Sequence, residues 1–193
     1  MKLAIAIIAA TAILVSGAGR AEPVDVQVED LLGAVTVYFG EDTGKGRALL
    51  VANNEGDADL RLYWEGKGRG FDKTVMKLAM TKKAIAFNGP MGGQQASLAV
   101  SERGSLVVKS ENYAVGRTKW EKAITIVYKG GEFLVVGFTY KGMDGGDPKA
   151  TGVCDLNLAT GKGVRKGKPV TFRAAPVRLA DWSDETEPKE CRF

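Results

Sequence analysis

Apolar residues along this chain recur with the period of a strand far more often than with that of a helix. The strongest stretch is Ala123–Tyr140. Ile124, Ile126 and Tyr128 share one side, and Thr125 and Val127 share the other. Beyond Lys129-Gly130-Gly131-Glu132, the run Phe133–Tyr140 is apolar on both sides, which predicts a central strand. Gly-Gly tolerates the positive φ of a tight hairpin turn. Gly137 inside the second strand predicts a bulge or a close backbone approach.

The flanks continue the pattern. Ser105–Ser110 predicts a strand with Leu106 and Val108 together, and Val153–Leu158 one with Cys154, Leu156 and Leu158 together. Ala34–Phe39, Ala48–Ala52, Asp59–Trp64, Ala84–Phe87 and Ala96–Val100 read as further strands. Phe71–Met80 reads as a strand, with a helix over Lys73–Lys83 as the alternative; Val24–Val28 reads as an edge strand, with one helical turn over Val28–Leu32 as the alternative. Short connections rich in Gly, Asn and Asp predict an antiparallel meander rather than βαβ units. From Ala174 onward the pattern dissolves into an irregular tail, with Val177, Leu179 and Trp182 to pin it. The expected organisation is an all-β domain over 22–175 and a tail over 176–193.

Three motifs, taken in order, carry a resemblance: GSLVVKSEN, then GRTKWEKAITIVYKGGEFLVVGFTY, then CDLNLATGK. This succession resembles exported bacterial proteins of unknown function with degenerate integrin-like (FG-GAP) repeats. Gly137-Phe138-Thr139-Tyr140 stands for their penultimate strand and Asn157–Lys162 for their last element. The resemblance spans roughly residues 33–170 and implies blade-like antiparallel sheets, as in an incomplete β-propeller. It implies nothing about function. In such proteins an Asp-x-Asn-x-Asp-Gly loop often holds Ca²⁺. The corresponding place here has Glu41, Thr43 and Lys45, and an ammonium at a ligand position predicts a turn without metal.

The first 21 residues predict a removed secretory signal peptide. Lys2 precedes the apolar run Leu3–Val15, and small residues lead to Ala21. The apolar run is short for a membrane span, so no membrane anchor is expected after cleavage. Lys2 and Arg20 leave with the signal, so 27 basic residues become 25 against 23 acidic ones, a net charge of +2. A nearly balanced chain has no electrostatic case for nucleic acid. The expected location is periplasmic or secreted.

The chain has no His, which removes imidazole bases and Ser-His or Cys-His pairs. No catalytic, cofactor or metal residues are identified. The most suggestive cluster is Asn112, Tyr113, Arg117 and Trp120, either a ligand groove or a hairpin corner with Trp120 in the core and Arg117 on carbonyls. Asp144 and Asp147 read as an acidic turn or a weak cation site. Lys162, Arg165, Lys166 and Lys168 read as a solvated hairpin or an anionic-ligand patch.

The expected function is a non-catalytic periplasmic binding or interaction module whose partner is an unknown protein or a glycan. The alternatives are a carboxylate-based hydrolase acting on a glycan, and an inhibitor or immunity-like protein using a loop such as Asn88–Gly93. Cys154 and Cys191 are the only cysteines, so one intramolecular connectivity exists and export would let it persist; the expected disulfide fastens the tail to the sheet, with two independent thiols as the alternative. The export reading has a direct check: protein recovered from the cell envelope should begin at Glu22 by mass spectrometry, and an intact Met1 there would defeat it.

Overall fold

The computed structural model describes residues 30–39, 44–67 and 74–193. The predicted signal segment, Val24–Val28, and Glu41 and Thr43 of the turn lie outside them; the helical-turn alternative for Val28–Leu32 is corrected, for Leu31 and Leu32 open the first strand, where Leu31 pairs with its neighbour. Strands β1 (Leu31–Tyr38), β2 (Lys45–Ala52), β3 (Asp57–Lys67) and β4 (Thr74–Phe87) form an antiparallel sheet in chain order. The second sheet contains β5 (Gln94–Val100), β6 (Leu106–Asn112), β7 (Thr118–Lys129), β8 (Glu132–Asp144), β9 (Gly152–Asn157), β10 (Lys162–Arg165) and β11 (Lys168–Thr171), also in chain order. A two-residue strand, β12 (Val177–Arg178), returns from the tail to pair with Leu134 and Val135 of β8. The protein is therefore all-β, built from two antiparallel meander sheets and an irregular tail.

Each sheet is amphipathic by strand alternation, and the apolar faces are buried in one shared core. The first sheet supplies Val37, Ala48, Leu50, Leu60 and Leu62; the second supplies Leu106, Val108, Ile124, Ile126, Val135, Phe138 and Leu156. At one end an aromatic group joins the sheets. Phe39 meets Phe133 edge-on at 5.0 Å, Trp64 meets Tyr128 at 5.6 Å, and Tyr128 meets Phe133 at 4.9 Å. Gly46 is required beside this group, because a Cβ there would lie 2.3 Å from the Phe39 ring. β1 approaches β5 closely at Gly33, where an added Cβ would sit 3.0 Å from that of Leu98.

The predicted hairpin is β7–β8, longer at both ends than the alternation suggested. The irregularity foreseen at Gly137 is present: Thr125 pairs with Gly137 but Ile126 with Val135, leaving Val136 as the extra residue. The helical alternative for Lys73–Lys83 is corrected, for Thr74–Phe87 is one strand along β3. Lys, Met, Leu and Ala favour a helix when isolated, but pairing and burial against β3 override that preference. A bulge also concealed the strand's continuity. Leu60 pairs with Lys82 and Ala58 with Ala86, so three residues, 83–85, face Asp59 alone. Ala84 takes φ 48°, and its N–H donates to the Asp59 carboxylate at 3.0 Å.

The tail crosses the body in three single 3₁₀ turns, Leu179–Asp181, Asp184–Thr186 and Lys189–Cys191. Leu179, Trp182 and Cys191 enter the core, and Trp182 packs on Phe138 at 5.8 Å. Cys191 is disulfide-bonded to Cys154 of β9, with Cα atoms 5.4 Å apart and a sequence separation of 37. Closing a loop of that length contributes roughly 3–4 kcal/mol in the chain-entropy model, against a typical ~5–15 kcal/mol for a domain. Cys191→Ser should therefore lower the melting temperature and expose residues after Pro176 to limited proteolysis. The β7–β8 hairpin should stay folded. Two titratable thiols in the oxidised, denatured protein, or unchanged tail protection in the variant, would contradict the role assigned to the bond.

Candidate binding site

The end of the core opposite the aromatic group is not filled. A cavity of about 410 Å³ lies between the bulge of β4, the inner faces of β6–β8 and the tail. The bulge supplies Ala84, Ile85 and Ala86. Ser110 of β6 is buried at the wall, and its hydroxyl donates to the Phe87 carbonyl at 2.9 Å, joining the two sheets. Trp120 of β7 lies 5.9 Å from Phe87, and Trp182 of the tail closes the floor against Phe138. The size falls within the range of small-molecule pockets.

Charge distinguishes this cavity from ordinary core. Asp57, Asp184, Glu185 and Glu187 line it against a single cation, Lys122. The Lys122 ammonium donates to Glu187 at 2.7 Å, lies 3.7 Å from Asp184, and stands 5.4 Å over the Trp120 ring. Burial pushes the Glu187 carboxyl above its ordinary 4.5; the Lys122 hydrogen bond and charge pull it back, and Asp184 pushes it up again. Asp57 is raised above 3.8, first by burial and then by Glu55, Asp184 and Asp59. Two carboxyls that bind protons more readily than in water thus face one pocket. This is an arrangement suited to gripping a positively charged group or to donating a proton.

The residues singled out from sequence are placed differently. Asn112 and Trp120 are directly opposed across β6 and β7. Asn112 folds its amide onto Val115, accepting from its N–H and donating to its carbonyl. Tyr113 donates to Glu121 at 3.0 Å. Arg117 lies against the Asp144 carboxylate at 2.7 Å rather than on carbonyls. Of the four, only Trp120 lines the cavity. The acidic turn is closed on itself: Asp144 accepts from the N–H groups of Gly146 and Asp147, from Arg117 and from Thr118. These bonds, the Gly146 amide foremost, hold its carboxyl down at about 2. No cluster of three or more metal-ligating side chains occurs among the described residues. The loop 88–93 joins β4 to β5 and exposes Met91.

Asp57 and Lys122 went unnoticed in sequence, and Asp184, Glu185 and Glu187 read only as the wet side of the tail, because three distant segments bring these residues together. Asp184 is exposed as expected, but Glu187 is largely covered and paired with Lys122.

Opposite shifts give opposite pH signs. The raised carboxyls of Glu187 and Asp57 add stability that is complete below 4.5 and 3.8 respectively and is lost as pH rises through their higher folded values. Asp144 adds stability present above 3.8 and lost as pH falls through about 2. In thermal melts across the acid range, Glu187→Gln should gain on the wild type as pH rises past 4.5, while Asp144→Asn should flatten the acid limb. Parallel profiles for wild type and Glu187→Gln would show that Glu187 is not buried as described. No family model, curated protein or solved structure matches the chain, so the reading of this site rests on its own residues.

Proposed function

We propose that this protein is an exported, non-catalytic binding module of the periplasm that holds a compact ligand, or a side chain of a partner protein, in the cavity between its sheets. The observation carrying this reading is the 410 Å³ cavity itself, walled by Trp120, Trp182 and Phe87 and by four carboxylates against one ammonium. Aromatic walls supply area for an apolar body, and the charge balance favours a cationic group over an anionic one. A chain without His lacks the usual base for nucleophilic catalysis.

One observation favours a second reading. Asp184 and Glu187 meet at one ammonium, and a protonated Glu187 would suit a general acid in a carboxylate-based glycan hydrolase.

The two readings separate in one set of measurements. Native mass spectrometry of protein purified gently from the envelope should show a retained small ligand or a bound partner, lost in Trp120→Ala. Neither Glu187→Gln nor the wild type should release reducing ends from envelope glycan. An apo, unpartnered wild type argues against binding; glycan cleavage abolished by Glu187→Gln establishes the hydrolase instead.

A further inference from the structure

The outer face of the second sheet carries a separate feature of opposite character. A register row crosses four strands: Thr125 of β7, Gly137 of β8, Asn157 of β9 and Lys162 of β10. Gly137 has no side chain, and a Cβ there would crowd Thr125 at 3.0 Å. A hollow of about 400 Å³ lies over this row, bounded by the turn 101–105 and by β10. A second hollow of about 220 Å³ shares Arg103 and Ser105 with it and runs on to Tyr38. The second is lined by Val37, Phe39, Ile126 and Tyr128 at the edge between the sheets, so the first alone, crossing four strands, is an extended, shallow groove on the outer face.

Its chemistry is polar and cationic. Arg103 and Lys162 are exposed, and neither takes part in an ion pair among the described residues. The single acid, Asp155, is occupied by the Thr139 hydroxyl at 3.0 Å. Asn157 commits its amide oxygen to the N–H groups of Ala159 and Thr160, which leaves its NH₂ as a donor. Tyr38, 65% exposed, lines only the second hollow.

We infer that this groove binds an acidic oligosaccharide, a run of hydroxylated rings bearing carboxylates. The elongated shape suits a chain better than a compact ion. The hydroxyl and amide lining suits sugar hydroxyls, which an apolar peptide segment would leave unmatched. Arg103 and Lys162 match carboxylates along the chain. The site is independent of the cavity between the sheets and does not rest on the function proposed for it.

Calorimetric titration tests it, using protein purified from the envelope and three probes at low salt: an oligogalacturonate, its fully methyl-esterified form, and inorganic phosphate. The oligogalacturonate should bind, more weakly as salt is added. Arg103→Gln and Lys162→Gln should each weaken it roughly tenfold or more, as expected for one lost charge-assisted hydrogen bond. Both Gln replacements lie on exposed side chains, so an unchanged melting temperature will certify the fold. Absence of oligogalacturonate binding, equal affinity for the methyl ester, equal affinity for phosphate, or indifference to both cation replacements would each overturn the assignment.

Discussion

Burial of two sheet faces against each other is the interaction on which everything else in this protein depends. Neither meander can hide its own apolar side. Leu50, Leu60 and Leu62 on one sheet and Leu106, Ile126 and Val135 on the other are excluded from water only because the sheets share one core. The interface is not uniform along its length. Where Phe39, Trp64, Tyr128 and Phe133 interlock, it is closed. Where β4 bulges at Ala84, the sheets part and a cavity remains.

That cavity requires a wall which neither sheet provides. The tail supplies it by inserting Leu179, Trp182 and Cys191 into the core and fixing Glu187 on Lys122. A segment with so few apolar anchors holds its position through several modest contacts and one covalent bond. The disulfide to Cys154 therefore links the organisation of the second sheet to the integrity of the pocket. The same sheet presents a different surface outward, where Gly137 removes a side chain and Arg103 and Lys162 set the charge. One scaffold thus carries an acidic, aromatic interior cavity and a cationic, polar exterior groove.

Much of the architecture was legible in the residues, and the reason is periodicity. Ile124–Tyr128 and Phe133–Tyr140 alternate or stay apolar long enough to name a hairpin, and β7 and β8 form it. Two cysteines in an export-compatible chain left one pairing, which is present. Strand β4 was less legible, since residues 83–85 break the alternation and a run of helix formers precedes them. The candidate binding site was the least legible. Trp120 was noted, but Asp57, Lys122 and Glu187 become neighbours only through sheet packing and tail docking, which no local pattern encodes. Arg117 was noted for its chemistry, yet its partner is Asp144, the last residue of β8, 27 positions away.

The central claim is that the tail is an integral wall of the inter-sheet cavity. Nuclear Overhauser contacts from the Trp182 indole test it most directly. The oxidised protein should show Trp182 in contact with Phe138, alongside a Trp120–Phe87 contact across the sheets. A spectrum that retains the cross-strand contacts of β7 and β8 but lacks any from Trp182 to Phe138 would contradict the account, because the cavity would then stand open without the tail.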